Sequence, residues 1–252
     1  MSIVSVIICS YNRSNLLPKA IDSVLSQSYS DFELLIIDDA SKDDTCSVVE
    51  KYIDKDARIK YFKNDINLGI SKSRNKGISL ASGKYIAMLD SDDYWIDKEK
   101  LNKQIKILEN DNSIGLIGTA ISCVDEAGHE IREDVYASTD NIIRNRILIK
   151  NQFAQSSVIF KKDAVESVGA YNNELIVCED FDLWLRIGRN FKFCNISDVT
   201  TAYFINTKSI SNSNKLLIAK TTDQIIKKNR NNYPNYFLAK IKSLLRIIIS
   251  HP

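Results

Sequence analysis

The densest chemistry in the sequence is Asp90-Ser91-Asp92-Asp93, three carboxylates within four residues. Carboxylates this close repel one another unless a cation stands among them. Oxygen ligands with no neighbouring His or Cys suit Mg2+ or Mn2+, although one aspartate capping a helix, with the others solvated, accounts for the same spacing. A calcium hand is excluded, because Trp95 and Leu101 stand where its loop needs Gly and Glu. A second pair, Asp38-Asp39, is either a hydrogen-bond acceptor or a turn. In Ser10-Tyr11-Asn12-Arg13 an aromatic ring is available for stacking on a flat base or for filling a rim. Glu179-Asp180 opens a stretch with an apolar helical face, and by itself needs no role beyond complementing the helix dipole. Neither common glycine-rich phosphate loop is present, so phosphates need another partner, and a metal suits.

Alternating strands and helices must position these groups. Residues 3–9 are continuous and β-branched, as in a strand buried on both faces. Leu17, Ile21, Val24 and Leu25 then recur at helical spacing, with Pro18 in the first turn. The spacing predicts strands over 33–37, 59–62 and 84–89, and helices around 48–53 and 71–81. This alternation implies an α/β fold with a mostly parallel, doubly wound, Rossmann-like sheet, helices on both faces and ligands at the carboxyl ends of the strands. Both aspartate clusters sit at such ends. Further along, the sequence predicts a helix over 98–110, a strand over 114–121 and an irregular polar insertion over 122–150. A strand over 155–160, a helix over 179–189 and a last helix near 236–250 follow. The main domain is expected over 1–210 and a helical C-terminal extension over 211–252.

Composition narrows the function. Apolar residues at 44% and charged residues at 26% exclude disordered, collagen-like and disulfide-scaffold classes. Thirty-four basic against 32 acidic residues provide no field for a nucleic acid, so any anion is held locally. Five scattered cysteines and only His129 and His251 exclude a clustered zinc site and fit free thiols in a reducing compartment. The apolar opening lacks a basic flank and a cleavage site, and no run reaches roughly 18 apolar residues, so a cytoplasmic protein is expected. In the tail, Phe237, Ile241, Leu244 and Ile248 share one helical face, with Lys242, Ser243 and Arg246 opposite. That pattern suits peripheral contact with an anionic membrane at the inner face of the cell membrane, or packing on protein.

Taken in order, these stretches resemble the family 2 glycosyltransferases of GT-A fold. The resemblance rests on residues 4–12, 23–29 and 32–41, on Asn67-Leu68-Gly69 and Ser73-Arg74-Asn75, on residues 83–93, and on Glu179-Asp180 followed by Leu183-Trp184-Leu185-Arg186. It covers roughly 3–100 and 153–190, and implies a nucleotide-sugar-binding half over 1–100 and an acceptor-binding half over 101–210. It further implies that Ser10 and Tyr11 meet the nucleotide, Tyr11 packing on uracil, and that Asp39 accepts the N3–H of the base. Arg74 lies near the nucleotide and its phosphates, Asp90 holds ribose, Asp92 and Asp93 supply the Mn2+ or Mg2+ site, and Asp180 is the base. The Gln-x-x-Arg-Trp motif of processive members is absent, which favours single-sugar addition.

The chemistry agrees with these roles. Expelling a diphosphate needs a cation, and an attacking hydroxyl must lose its proton to a carboxylate on the opposite face of the sugar. One base without a covalent partner implies inversion. An N3–H donor suits UDP- or dTDP-sugars and excludes cytosine. A saccharide or lipid-linked acceptor in bacterial surface polysaccharide synthesis is implied by the resemblance alone. A sugar-nucleotide nucleotidyltransferase would need a glycine-rich loop after the first strand, and a non-catalytic nucleotide-sugar-binding scaffold would leave Asp180 idle.

Overall fold

The computed structural model describes residues 3–205 and 214–250. Strand β1 (Val4–Ser10) lies parallel between β2 (Phe32–Asp38) and β4 (Tyr85–Asp90), and β3 (Ile59–Lys63) continues the sheet beyond β2. Every residue of β1 and β2 is buried, as their unbroken apolar runs require of strands covered on both faces. The register sets Ser10 beside Asp38 and Cys9 beside Asp90, so the acidic strand ends come level.

Helices α1 (Leu17–Leu25), α2 (Thr45–Ile53) and α4 (Lys100–Asn110) cover one face, packing Leu17, Val49 and Leu101 on Val6, Ile8 and Leu34. Helix α3 (Ile70–Leu80) covers the other, where Ile78 meets Ile7, Leu35 and Met88. Gly77 lets α3 approach so closely that a Cβ there would stand 2.7 Å from Ile7 Cγ2.

Past β4 the sheet becomes mixed. Strand β8 (Ile159–Lys161) runs antiparallel between β4 and β6 (Ile114–Val124), and β9 (Lys192–Phe204) lies parallel to β6. Short strands β5 (Tyr94–Trp95) and β7 (Glu130–Asp134) pair antiparallel with β9 and β6. The expected α/β architecture with helices on both faces is therefore present, with its parallel character concentrated in the first four strands of the order β3-β2-β1-β4.

Two expectations need correction, and one strand was not foreseen. The stretch 122–150 is not irregular: it contains the end of β6, all of β7 and helix α5 (Asp140–Arg146). The predicted strand over 155–160 begins as a 3-10 turn, Gln155–Ser157, before β8. β9 escapes a periodicity reading because polar residues interrupt it; its buried Asn195 donates to the carbonyls of Ala137 and Gln152.

Helices α6 (Lys162–Ser167) and α7 (Glu179–Ile187) pack on the second face around Trp184, which is fully buried among Phe153, Phe160 and Tyr171. Helices α8 (Lys215–Lys228) and α9 (Tyr236–Ile249) follow, and Ile225, Ile226, Tyr233 and Ala239 join the same apolar layer. The C-terminal extension thus shares the core of the preceding residues. All five cysteines are free, and no helix among the described residues is long and apolar enough to cross a membrane.

Candidate active site

The loops after β1 and β2 are tied to each other. The Asp39 N–H donates to the Ser10 carbonyl at 2.8 Å, the Asn12 N–H to Ser41 Oγ at 2.9 Å, and the Lys42 N–H to Asn12 Oδ1 at 2.8 Å. Asn12 and Ala40 hold left-handed backbone, with φ of 52° and 65°, a conformation that concentrates where a fold is bent to serve a site. Tyr11 stands at the rim with 43% of its surface exposed, whereas the Ser10 hydroxyl is buried and has no partner among the described residues. An unpaired buried hydroxyl is costly and fits a place where a polar ligand docks.

The two residues of the Asp38-Asp39 pair point to different tasks. Asp38 turns inward, accepting the Tyr61 hydroxyl at 2.5 Å and the Ser41 N–H at 2.8 Å. Asp39 accepts from Asn64 Nδ2 and the Leu68 N–H at 2.8 Å, and from the Gly69 N–H at 2.9 Å. This explains Asn67-Leu68-Gly69: Gly69, at φ 84°, aims two successive amides at one carboxylate. A carboxylate has about four acceptor positions, so three are used and one is left open among the described residues.

Arg74 is the tie between the two halves of the sheet. It is buried, and its two terminal nitrogens donate to Asp90 Oδ1 at 2.6 Å and to Glu179 Oε1 at 2.5 Å. Burial opposes its charge, but Asp90 and Glu179 outweigh it and hold the guanidinium firmly protonated. The resemblance implies an arginine near the nucleotide and its phosphates; in the structure Arg74 is engaged by two carboxylates. A half-buried cation at this mouth is Arg13, 3.9 Å from Asp92.

Asp92 and Asp93 also differ. Asp93 is buried; its Oδ1 accepts the Phe204 N–H at 2.7 Å, and its Oδ2 accepts the Ser156 hydroxyl in a short bond. Burial, Asp90 and Asp92 push its carboxyl well above the usual range. Asp92 is raised as well, by burial and then by Asp90, with Arg13 opposing. Its oxygens make no hydrogen bond with another side chain among the described residues, and it is 30% exposed. No three His, Cys, Asp or Glu side chains among the described residues form a metal cage by themselves. The donor set nevertheless fits a hard divalent cation held by one or two carboxylates and completed by water and substrate phosphate. Of the three carboxylates, Asp92 is the one left without a side-chain hydrogen bond among the described residues.

Asp180 stands at the start of α7, after Cys178 at φ 60°. Of the acidic residues there, Glu179 is held by Arg74 and Asp182 by Arg186 at 2.7 Å; Asp180 has no cation partner among the described residues. It accepts the Phe181 N–H at 2.7 Å and, at 3.4 Å, Asn151 Nδ2. The helix dipole leads one to expect a readily ionised carboxyl. Instead burial, and then Glu179, push it up to about 7, against the Phe181 N–H and Arg74.

Sequence reasoning missed Tyr203, Ser156 and Asn151. Tyr203, on β9, is raised by burial and then by Asp93, Asp90, Asp180 and Asp92, so its hydroxyl is held neutral by the acidic groups of the site. The pairing of β9 with β6 and with β5 brings that ring to the site, and no local motif marks it.

Residues 5–177 match the family model described as "Glycosyl transferase family 2". Among curated relatives, UDP-Glc:alpha-D-GlcNAc-diphosphoundecaprenol beta-1,3-glucosyltransferase WfaP of Escherichia coli is 33% identical over 84% of this chain and 80% of its own. O-antigen biosynthesis glycosyltransferase WbnJ of the same species is 32% identical over 84% of each. Among solved structures, S. aureus TarS 1–349 in complex with UDP-GlcNAc superposes with a TM-score of 0.77 over 99% of this chain and 73% of that one, at 20% identity. That last likeness concerns the fold, and it agrees with the GT-A architecture.

Proposed function

The chain belongs to glycosyl transferase family 2 and is a glycosyltransferase, and on that premise we propose that it moves a single sugar, with inversion, from a UDP- or dTDP-sugar to a saccharide or lipid-linked hydroxyl. The setting proposed is bacterial surface polysaccharide synthesis at the inner face of the cell membrane. Residues 1–100 take the donor and 101–210 the acceptor.

The observation that carries the reading is Asp180, the one acidic side chain at the α7 start without a cation partner among the described residues, next to the Glu179 that Arg74 bridges to Asp90 of the acidic strand end. In the proposed reaction Tyr11 stacks on the base, Asp39 uses its remaining acceptor position for N3–H, and the Ser10 hydroxyl finds its partner on the nucleoside. Asp90 meets the ribose while anchored by Arg74. Asp92, backed by Asp93, would hold Mn2+ or Mg2+, which when bound neutralises charge growing on the departing diphosphate. Asp180 takes the proton of the acceptor hydroxyl as its oxygen bonds to the anomeric carbon and the bond to the diphosphate breaks. With one base and no covalent relay the configuration inverts.

The test is a panel of nucleotide sugars, each with Mn2+ and a saccharide acceptor, read for nucleoside diphosphate. Release of UDP or dTDP with an inverted glycoside is expected. Pyrophosphate release would instead indicate a nucleotidyltransferase, and donor binding without any release a scaffold.

A further inference from the structure

Helix α9 is packed the opposite way round from an ordinary surface helix. It turns its small residues inward: Ala239 and Ser243 are buried, and the Ser243 hydroxyl has no partner among the described residues. Its large apolar side chains face outward, with Phe237 and Ile249 81% exposed and Ile248 69%, and with Leu238, Ile241 and Leu245 more than half exposed. At 100° per residue these six form one continuous arc directly opposite Ala239 and Ser243. Lys242 and Arg246 border one edge of the arc. On the other edge Lys240 is tied to Asp223 at 2.5 Å.

The charge of this region selects the occupant. Residues 214–250 contain eight Lys and Arg against the single Asp223, whereas the whole chain has 34 against 32, so the rest of the protein is net acidic. Lys220, Lys227, Lys228 and Arg230 are exposed and make no ion pair with any described residue. Two copies meeting through α9 would bring like charge together. An anionic bilayer would accept the apolar arc between its headgroups and attract the bordering cations.

We propose that α9 is an interfacial helix that docks the protein on an anionic lipid bilayer. This rests on the membrane-face reading of the function for its purpose, and gives that reading a surface. Asn235, which precedes α9, donates to the Asn145 carbonyl at 2.8 Å. Beside it opens a cleft lined by Tyr136, Arg146, Lys150 and Gln152, next to the Asn151 that touches Asp180. A bilayer under α9 therefore brings the base side of the site near the lipid surface.

The experiment uses the full chain with vesicles of phosphatidylglycerol and phosphatidylcholine, and with phosphatidylcholine alone, in sedimentation assays. The wild type should pellet with the anionic vesicles and be released by salt. Phe237→Ser/Ile241→Ser/Ile248→Ser should weaken partitioning by at least about 100-fold, and Lys242→Ala/Arg246→Ala by about five-fold per cation. Both variants alter exposed or edge positions and should keep wild-type UDP affinity and diphosphate release with a soluble acceptor. A wild type that stays in the supernatant, or a triple variant that pellets like wild type, would overturn the proposal. So would a dimer, seen by sedimentation velocity, that the triple variant dissociates. Vesicle binding without diphosphate release would leave the docking helix standing and remove the catalytic reading.

Discussion

Asp180→Asn separates the catalytic reading from every structural one. The amide keeps an oxygen for the Phe181 N–H, 2.7 Å away, so the helix start should survive. What it loses is the capacity to take a proton. Glu179 cannot substitute, because Arg74 holds it and Asp90 together in one buried bridge. Transfer should therefore fall by about 10²–10⁴-fold, the span of a positioned general base, while UDP-sugar affinity stays within about two-fold. Because Asp180 is pushed up to about 7, it also sets a pH signature. The base works ionised, so the wild-type rate should rise about ten-fold from pH 6 towards a plateau above pH 8, and the residual rate of the variant should not. Stability gives an independent sign. A folded-state value above the ordinary value near 3.9 stabilises the fold fully at low pH, and that contribution is lost as pH rises from about 4 to about 7. Asp180→Asn should thus melt above wild type at pH 8 and lose that advantage at pH 4. Transfer kinetics, donor calorimetry and melting on one preparation decide the matter. Near wild-type transfer, or a wild-type rate that falls across pH 6–8, would refute the assignment.

Three further outcomes follow from the same geometry. UDP should bind at least about ten-fold more tightly than CDP, since cytosine leaves the last acceptor position of Asp39 unpaired at a cost of about 1–3 kcal/mol; equal calorimetric affinities would remove Asp39 from the base pocket. Asp92→Asn should abolish the EDTA-sensitive part of UDP binding with little change in melting, whereas Asp93→Ala should cost about 1–3 kcal/mol of stability by orphaning the Ser156 hydroxyl and the Phe204 N–H. Lys100 is fully buried beside Trp95 with Nζ on Gln104 Oε1, and burial pushes it down to about 7. The folded state then binds fewer protons than the unfolded one between pH 7 and about 10, so wild-type stability rises over that window; Lys100→Met should lose the rise, measured as a melting-temperature gap that shifts towards the variant as pH falls.

The sequence by itself determined the first four strands, the helices between them and the placing of Asp39 and Asp90–Asp93 at strand ends. These are local signals: short, largely apolar runs bounded by polar residues make strands of a covered sheet, and the chain must turn where the runs stop. The last helix, near 236–250, was equally legible from its spacing. Which partners each member of an acidic pair takes was not. Asp38 differs from Asp39, Asp92 from Asp93, and Glu179 from Asp180 only through partners far along the chain: Tyr61, Ser156 and Arg74. β9 and Tyr203 were hidden for the same reason, since their environment comes from pairing with β6 some 80 residues earlier. The inward face of α9 depended on the body beneath it, which offers room for Ala239 and Ser243 and leaves the larger side chains outside. Periodicity reports how a segment alternates, but a carboxylate's protonation and freedom depend on the charges, donors and burial that tertiary packing brings to it.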